Sequence, residues 1–369
     1  MKIICNKSNL LKGVNIVLKA VPSKTTMPIL ECILIDCTSG LIKLTANDME
    51  LGIETIIEGE IIEKGDIAIE AKFLSELVRK LPDNEVTIET DANLNTTITC
   101  EKSIINFICK SGEEFSRLPN IEREEYISIS EYSLKEIIRQ TIFSIADNDS
   151  NKMMTGEFFE IKENSLRVVA LDGHRMSIRK IELKDNYEYK KAIVPGKSLQ
   201  EISKILTGET TQEVKMYFTK NHILFELENT IVLSRLIEGT YPSIDHMVTY
   251  DYNTKLKINK KELISCLERS MIFVREGENR PIIINIVDDI MKLKIISQKG
   301  GIDENIAINK EGNNIMVGYN PKFMIDILKV IDDEEITMYF MNTITPCFIR
   351  NDEDTYTYFF LPVSFNANM

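Results

Sequence analysis

The sequence predicts an α+β protein of three tandem homologous domains, each with two helices and many short strands. Two observations predict it. One segment type occurs once in every third: a short strand, a polar start and a helix. It covers 68–81, 193–206 and 317–328, and Lys72, Lys197 and Lys322 align at a step of 125 residues both times. A second helix type precedes each of these, over 8–21, 133–146 and 260–275, with Leu10, Leu134 and Leu263 stepping by 124 and 129 residues. Two helix types in one order at a near-constant step indicate duplicated units. Pro119 and Pro242 sit in turn-like stretches, so the expected domains are 1–121, 122–247 and 248–369.

The helix assignments rest on apolar spacing. In 8–21, Leu10, Leu11, Val14, Val17, Leu18 and Val21 share one face, and the opposite stripe is Ser8, Lys12, Asn15 and Lys19, with no acid. In 260–275, Leu263, Ile264, Leu267 and Met271 face inward while Lys261, Ser265 and Arg269 face out. Each helix of this type leads into alternating strand patterns such as 41–46 and 166–170. Each helix of the other type is followed by more, such as 86–89 and 214–218.

With 43 % hydrophobic and 27 % charged residues, the composition excludes a disordered chain and a disulfide-stapled miniature. No apolar stretch approaches the ~20 residues that span a bilayer, and Met1-Lys2-Ile3-Ile4-Cys5-Asn6 lacks the apolar core of a secretory signal. Seven scattered cysteines form no CxxC pair. A zinc ribbon is therefore not expected, and a soluble protein of the reducing cytoplasm is.

Net charge is −13, a field that on average repels phosphate. Yet the six helices, taken as 8–21, 72–81, 133–146, 197–206, 260–275 and 321–330, are all net positive. Glu is as good a helix former as Lys, so propensity does not explain the bias. The positive faces are expected to meet phosphates while strands and loops stay acidic. Lysines on helix faces neutralise phosphates without reading bases. No aromatic residues interleave with them, so the expected partner is a duplex held by its backbone rather than a stacked single strand. The competing reading is a three-domain adaptor whose basic helices merely solvate it.

The most catalytic-looking string is Asp172-Gly173-His174-Arg175. It reads either as an acid–base pair in a loop or as a turn with Gly173 at positive φ. No nucleophile or metal set accompanies it, since His174, His222 and His246 offer no i,i+4 pair. Asp288-Asp289 and Asp332-Asp333 read as turns, and no phosphate-loop or dinucleotide fingerprint is present. No catalytic residue, metal or cofactor is expected.

Four stretches together resemble the bacterial sliding clamps, the β subunits of DNA polymerase III. They are the Leu10-Leu11-Lys12 helix with Met27-Pro28-Ile29-Leu30, Asp172-Gly173-His174-Arg175, Glu238-Gly239-Thr240-Tyr241-Pro242, and Leu361-Pro362-Val363. The resemblance covers the whole chain in order. It implies a non-catalytic processivity factor: a head-to-tail homodimeric ring, helices lining the hole and sheets outside, encircling duplex DNA. Implied partners are the replicative polymerase, the clamp loader and other proteins with short clamp-binding motifs, with no membrane.

By this resemblance Lys24, Arg79 and Lys197 face DNA, and the stripe analysis adds Lys12, Lys72, Arg139 and Lys204. The implied partner-peptide groove comprises Met154, Leu171, Gly173, His174, Arg175, Met176, Pro242, His246, Met247, Ile344, Pro346, Phe360, Leu361, Pro362 and Val363. An apolar groove rich in Met and Leu suits Leu- or Phe-anchored motifs. The implied dimer contacts are Phe107 and Cys109 against Ile272 and Phe273. Two positions depart from the family pattern: His246 and Ser364 stand where the family often has Arg, and the chain continues through Phe365 to Met369.

Overall fold

The computed structural model describes residues 1–147, 149–274, 280–298 and 300–365. Among them are six α-helices: α1 (Lys7–Val17), α2 (Ala71–Lys80), α3 (Glu131–Arg139), α4 (Gly196–Ile205), α5 (Lys260–Met271) and α6 (Pro321–Val330). All four sheets are antiparallel. Three helices are shorter than the apolar spacing suggests. After α1 the chain tightens into a 3₁₀ turn, Leu18–Ala20, and Val21 is extended at φ −78°, ψ 124°. It precedes Pro22, whose ring disfavours the helical region for the residue before it. After α3, Thr141 turns its hydroxyl back onto the carbonyl of Ile137 at 2.6 Å and leaves the helical region. α5 ends at Met271, and Arg275, within its expected span, lies outside the described residues.

The chain forms two compact units: residues 1–134 with 197–236, and residues 135–196 with 237–369. The middle third is thus shared, because backbone pairing joins neighbouring thirds. In the first unit Leu51–Ile57 pairs with Thr230–Arg235, fusing strands of the first and middle thirds into a nine-stranded sheet. In the second unit Arg175–Pro195 pairs with Tyr356–Phe360 in a seven-stranded sheet. Each unit has a second sheet. In the first it is five-stranded and ends on Ser103–Ile108; in the second it is four-stranded, with Gly300–Ala307 at one edge and Ile315–Tyr319 at the other.

The helices pack as their apolar stripes require. Leu10, Val14 and Val17 of α1 are fully buried. Between them Gly13 lets the helix approach the sheet, since a Cβ there would lie 2.5 Å from Ile57 and 2.8 Å from Leu44. α5 buries Leu263, Cys266 and Leu267 in a cluster with Met324, Ile327 and Leu328 of α6. Asparagine caps start both helices: Asn259 accepts from the amide of Glu262 at 3.0 Å, and Asn320 from that of Lys322 at 2.9 Å ahead of Pro321.

One buried group makes a stability prediction. Glu157, in the strand Gly156–Leu171, is fully buried, its Oε1 2.8 Å from the Thr141 hydroxyl, and burial pushes its carboxyl well above the ordinary range. A raised native pKa means that the folded state holds a proton the unfolded chain releases above about pH 4.3. Its contribution is therefore complete at low pH and falls as pH rises. The Glu157→Gln variant removes that dependence. In urea unfolding, its stability relative to the parent should rise between pH 5 and pH 8, by up to ~1.4 kcal/mol per pH unit. A pH-independent difference would show that Glu157 titrates alike in both states.

Candidate functional sites

The expected DNA-facing residues separate into two classes. Lys12 on α1, Lys24 in the loop after it, and Lys72 and Arg79 on α2 are exposed. Among the described residues none of these four has a carboxylate within ion-pair distance; Arg79 reaches only the hydroxyl of Ser75 at 3.5 Å. The other three have acidic partners. Lys197 meets Asp48 at 2.5 Å and Lys204 meets Glu201 at 2.7 Å, while both lysines stay largely exposed. Arg139 departs furthest from expectation. Its guanidinium binds Glu136 at 2.5 Å and Asp332 at 3.2 Å, and its side chain is 35 % exposed. Two fixed carboxylates leave it little net charge for a phosphate.

Of the residues expected at the groove, Leu171, Gly173, His174, Arg175 and Met176 form or flank the turn 172–175, and Phe360 and Leu361 pair with it. Gly173 has φ +89°, which resolves the two readings of the string in favour of a turn. Asp172 Oδ1 accepts from the amides of His174 at 2.8 Å and Arg175 at 2.9 Å. Its Oδ2 takes Arg175 Nε at 3.0 Å. The carboxylate is thus occupied and not poised as a base. Arg175 also binds Asp326 of α6 at 2.6 Å, and its guanidinium lies over Phe323 at 4.6 Å and Phe143 at 5.4 Å. With 11 % of its side chain exposed, Arg175 ties the turn to the helix.

Three further residues expected at the groove are buried. Leu171 and Met176, cross-strand partners, lie in a cluster with Tyr241, Ile244 and Phe359. Phe360 is fully buried against Tyr319, ring centroids 4.7 Å apart. Strand alternation decides this: adjacent residues point to opposite faces. Leu171, Met176 and Phe359 therefore sit on one face of the sheet and Phe360 on the other. Met154 packs on the same cluster while partly exposed. Met247 and Ile344 are 43 % and 81 % exposed, Gly173 and His246 are exposed, and Pro242 and Pro346 are half-buried. His174 stacks near Phe323, which is half-buried. The sequence reading missed Phe323, whose only signal was an aromatic beside the aligned Lys322.

The C-terminal residues are tied down at both sides. The Leu361 amide donates to His174 O and the Val363 amide to Gly318 O, each at 2.8 Å. Gly318 is needed there, because a Cβ would lie 2.8 Å from both Val363 O and the Phe365 ring. Leu361, Pro362 and Val363 therefore hold a fixed path between the turn and the strand Ile315–Tyr319.

At the expected dimer contacts, Cys109 is buried, its Sγ 3.4 Å from Leu94 O, and Phe107 packs edge-on to Phe73 at 5.0 Å. The residues presented outward are Ile104 and Ile108, 66 % and 76 % exposed on the edge strand. The signal for them was the run Ile104-Ile105-Asn106-Phe107-Ile108, apolar on both strand faces. A cavity of about 300 Å³ opens beside them, lined by Phe73, Phe107, Ile108 and Cys109. In the second unit Ile272 is 73 % exposed, and Phe273 lies next to Gly300, the first residue of the edge strand Gly300–Ala307.

Comparison with known families decides the assignment. Residues 1–119, 128–243 and 247–364 match the N-terminal, central and C-terminal domains of the DNA polymerase III beta subunit. The chain belongs to this family. It is a DNA polymerase sliding clamp, a non-catalytic processivity factor. It is 32 % identical to the beta sliding clamp of Staphylococcus epidermidis, over 98 % of this chain and 99 % of that one. The DNA polymerase sliding clamp of Bacillus subtilis superposes with TM-score 0.96 at 31 % identity, over 99 % of this chain and 100 % of that one. A solved structure from Eubacterium rectale superposes with TM-score 0.97 at 60 % identity and the same coverage. The clamp fold thus accounts for the three-part repeat and for the absence of a reactive site at Asp172. No helix among the described residues is long and apolar enough to cross a membrane.

Proposed function

We propose that two copies of this clamp close head to tail into a ring around duplex DNA, with the helices lining the hole and the sheets outside. Each copy would contribute three domains, 1–121, 122–247 and 248–369. Lys12, Lys24, Lys72 and Arg79 carry the reading: in a chain of net charge −13 they stand exposed without carboxylate partners among the described residues. Cations left unneutralised in an acidic protein favour a polyanion, and contacts to phosphate alone are equivalent at every step along the duplex. Lys197 and Lys204, both largely exposed, join them when phosphate competes with their acidic partners.

Ring closure is supported by two edge strands, Ser103–Ile108 and Gly300–Ala307, in different units. An exposed edge with apolar side chains is a template for pairing with another chain. Ile272 and Phe273 of one copy would enter the cavity beside Phe107 and Ile108 of the other. The surface around Met154, Pro242, Met247, Ile344 and residues 361–363 would take Leu- or Phe-anchored motifs of the polymerase, the loader and other partners. Seven free, buried thiols fit a cytoplasmic protein.

Topology supplies the test. Loaded clamps should co-sediment with closed circular duplex and be lost from the same DNA once it is linearised, because a ring slides off open ends. Equal retention on both forms would refute encirclement and favour an adaptor that binds from one side.

A further inference from the structure

The Asp48–Lys197 pair differs from an ordinary surface salt bridge. Asp48 is held before its partner arrives: its Oδ1 accepts from the amides of Glu50 at 3.0 Å and Leu51 at 2.7 Å, and its side chain is 9 % exposed. The loop around it is fixed as well. Asn47 donates to Ser116 O at 2.6 Å and accepts from the Met49 amide at 3.2 Å, and Met49 adopts φ +73°. Only Oδ2 remains, and it faces Lys197 Nζ at 2.5 Å. Lys197 is its opposite in mobility, a flexible stem 62 % exposed. It also occupies the first turn of α4, where the helix dipole disfavours a cation. A pre-positioned carboxylate offsets that cost and holds the ammonium at low entropic expense.

We propose that Asp48 is a positioning residue that holds the Lys197 ammonium and competes with phosphate for it, so that each contact with passing duplex is made weakly and released readily. The proposal rests on Lys197 facing DNA. It extends to the other largely exposed cation with an acidic partner, Lys204 with Glu201. The exposed cations expected to face DNA then divide by role: four attract phosphate without internal competition, and two are moderated. Moderation serves a protein that must hold DNA without gripping any one register.

The test uses the full chain and a fluorescein-labelled duplex of 24 base pairs, with anisotropy read at 50 and 150 mM NaCl. Asp48→Asn keeps the Oδ1 acceptor that builds the turn and removes only the charge. It should tighten binding about 3- to 10-fold at the lower salt, and Lys197→Ala should weaken it by a similar factor. Glu50→Gln, the same charge change on an exposed neighbour with no described bond to Lys197, should shift binding less than about 2-fold. In the Lys197→Ala background Asp48→Asn should add nothing, the signature of two residues acting through each other. If Lys197→Ala has no effect, the DNA-facing assignment of Lys197 fails and the proposal with it. If Lys197→Ala weakens binding but Asp48→Asn matches Glu50→Gln, or keeps its effect without Lys197, the assignment stands and the positioning role is refuted.

Discussion

Exchanging Lys24, Arg79 and Lys197 together for glutamate should lower duplex affinity about a hundredfold or more at 50 mM salt. It should also flatten the dependence of log affinity on log salt by about 2.7, since each lost phosphate contact removes ~0.9. Lys24 and Arg79 are exposed without acidic partners among the described residues, so their reversal acts on DNA alone. Lys197 is different. A glutamate there would face the nearly buried Asp48, and like charges at that range destabilise the turn as well as repel phosphate. The triple alanine variant therefore serves as the companion measurement. It should show the same loss of slope with a smaller loss of affinity, and an unchanged melting temperature would confirm that the fold is intact. Unaltered salt dependence in both variants would remove these residues from the DNA-facing surface.

Deleting residues 361–369 should abolish binding of Leu- and Phe-anchored peptides, at least a hundredfold by anisotropy, and leave the dimer intact by sedimentation. The deletion frees His174 O and Gly318 O, which the tail amides now satisfy, and strips the wall formed by Leu361, Pro362 and Val363. The dimer is spared for a topological reason. Gly318 lies in the strand at one edge of the four-stranded sheet, and Gly300–Ala307, the edge proposed to pair between copies, is at the other. Ile344→Asp is the milder companion. At 81 % exposure the side chain supports little of the fold, so a tenfold or greater loss of peptide affinity reports on the groove itself. Peptide binding retained by both variants would place the partner surface elsewhere.

Much of the architecture was legible in the sequence because duplicated units repeat their apolar spacing. α2, α4 and α6 fall within a residue of their expected spans, and the inward stripes Leu10–Val14–Val17 and Leu263–Leu267 are buried as the periodicity requires. Helix ends were less legible. They depend on local competition such as the Thr141 hydroxyl taking the carbonyl of Ile137, which no spacing reveals. The family was legible too, from four short stretches in the right order.

The sequence by itself determined the repeat, the helix faces, the acidic balance and the class of protein, because each is written in local order along the chain. Tertiary structure alone decided which charges are available and which apolar residues are surface. Lys12 and Arg139 look alike as helix-borne cations, yet Arg139 meets Asp332, 193 positions away, and Lys12 meets no acid among the described residues. Met176 and Met247 look alike as groove methionines, yet one is fully buried and the other 43 % exposed. Electrostatic partners and solvent exposure are set by residues distant in sequence and near in space, so only the folded chain could assign them.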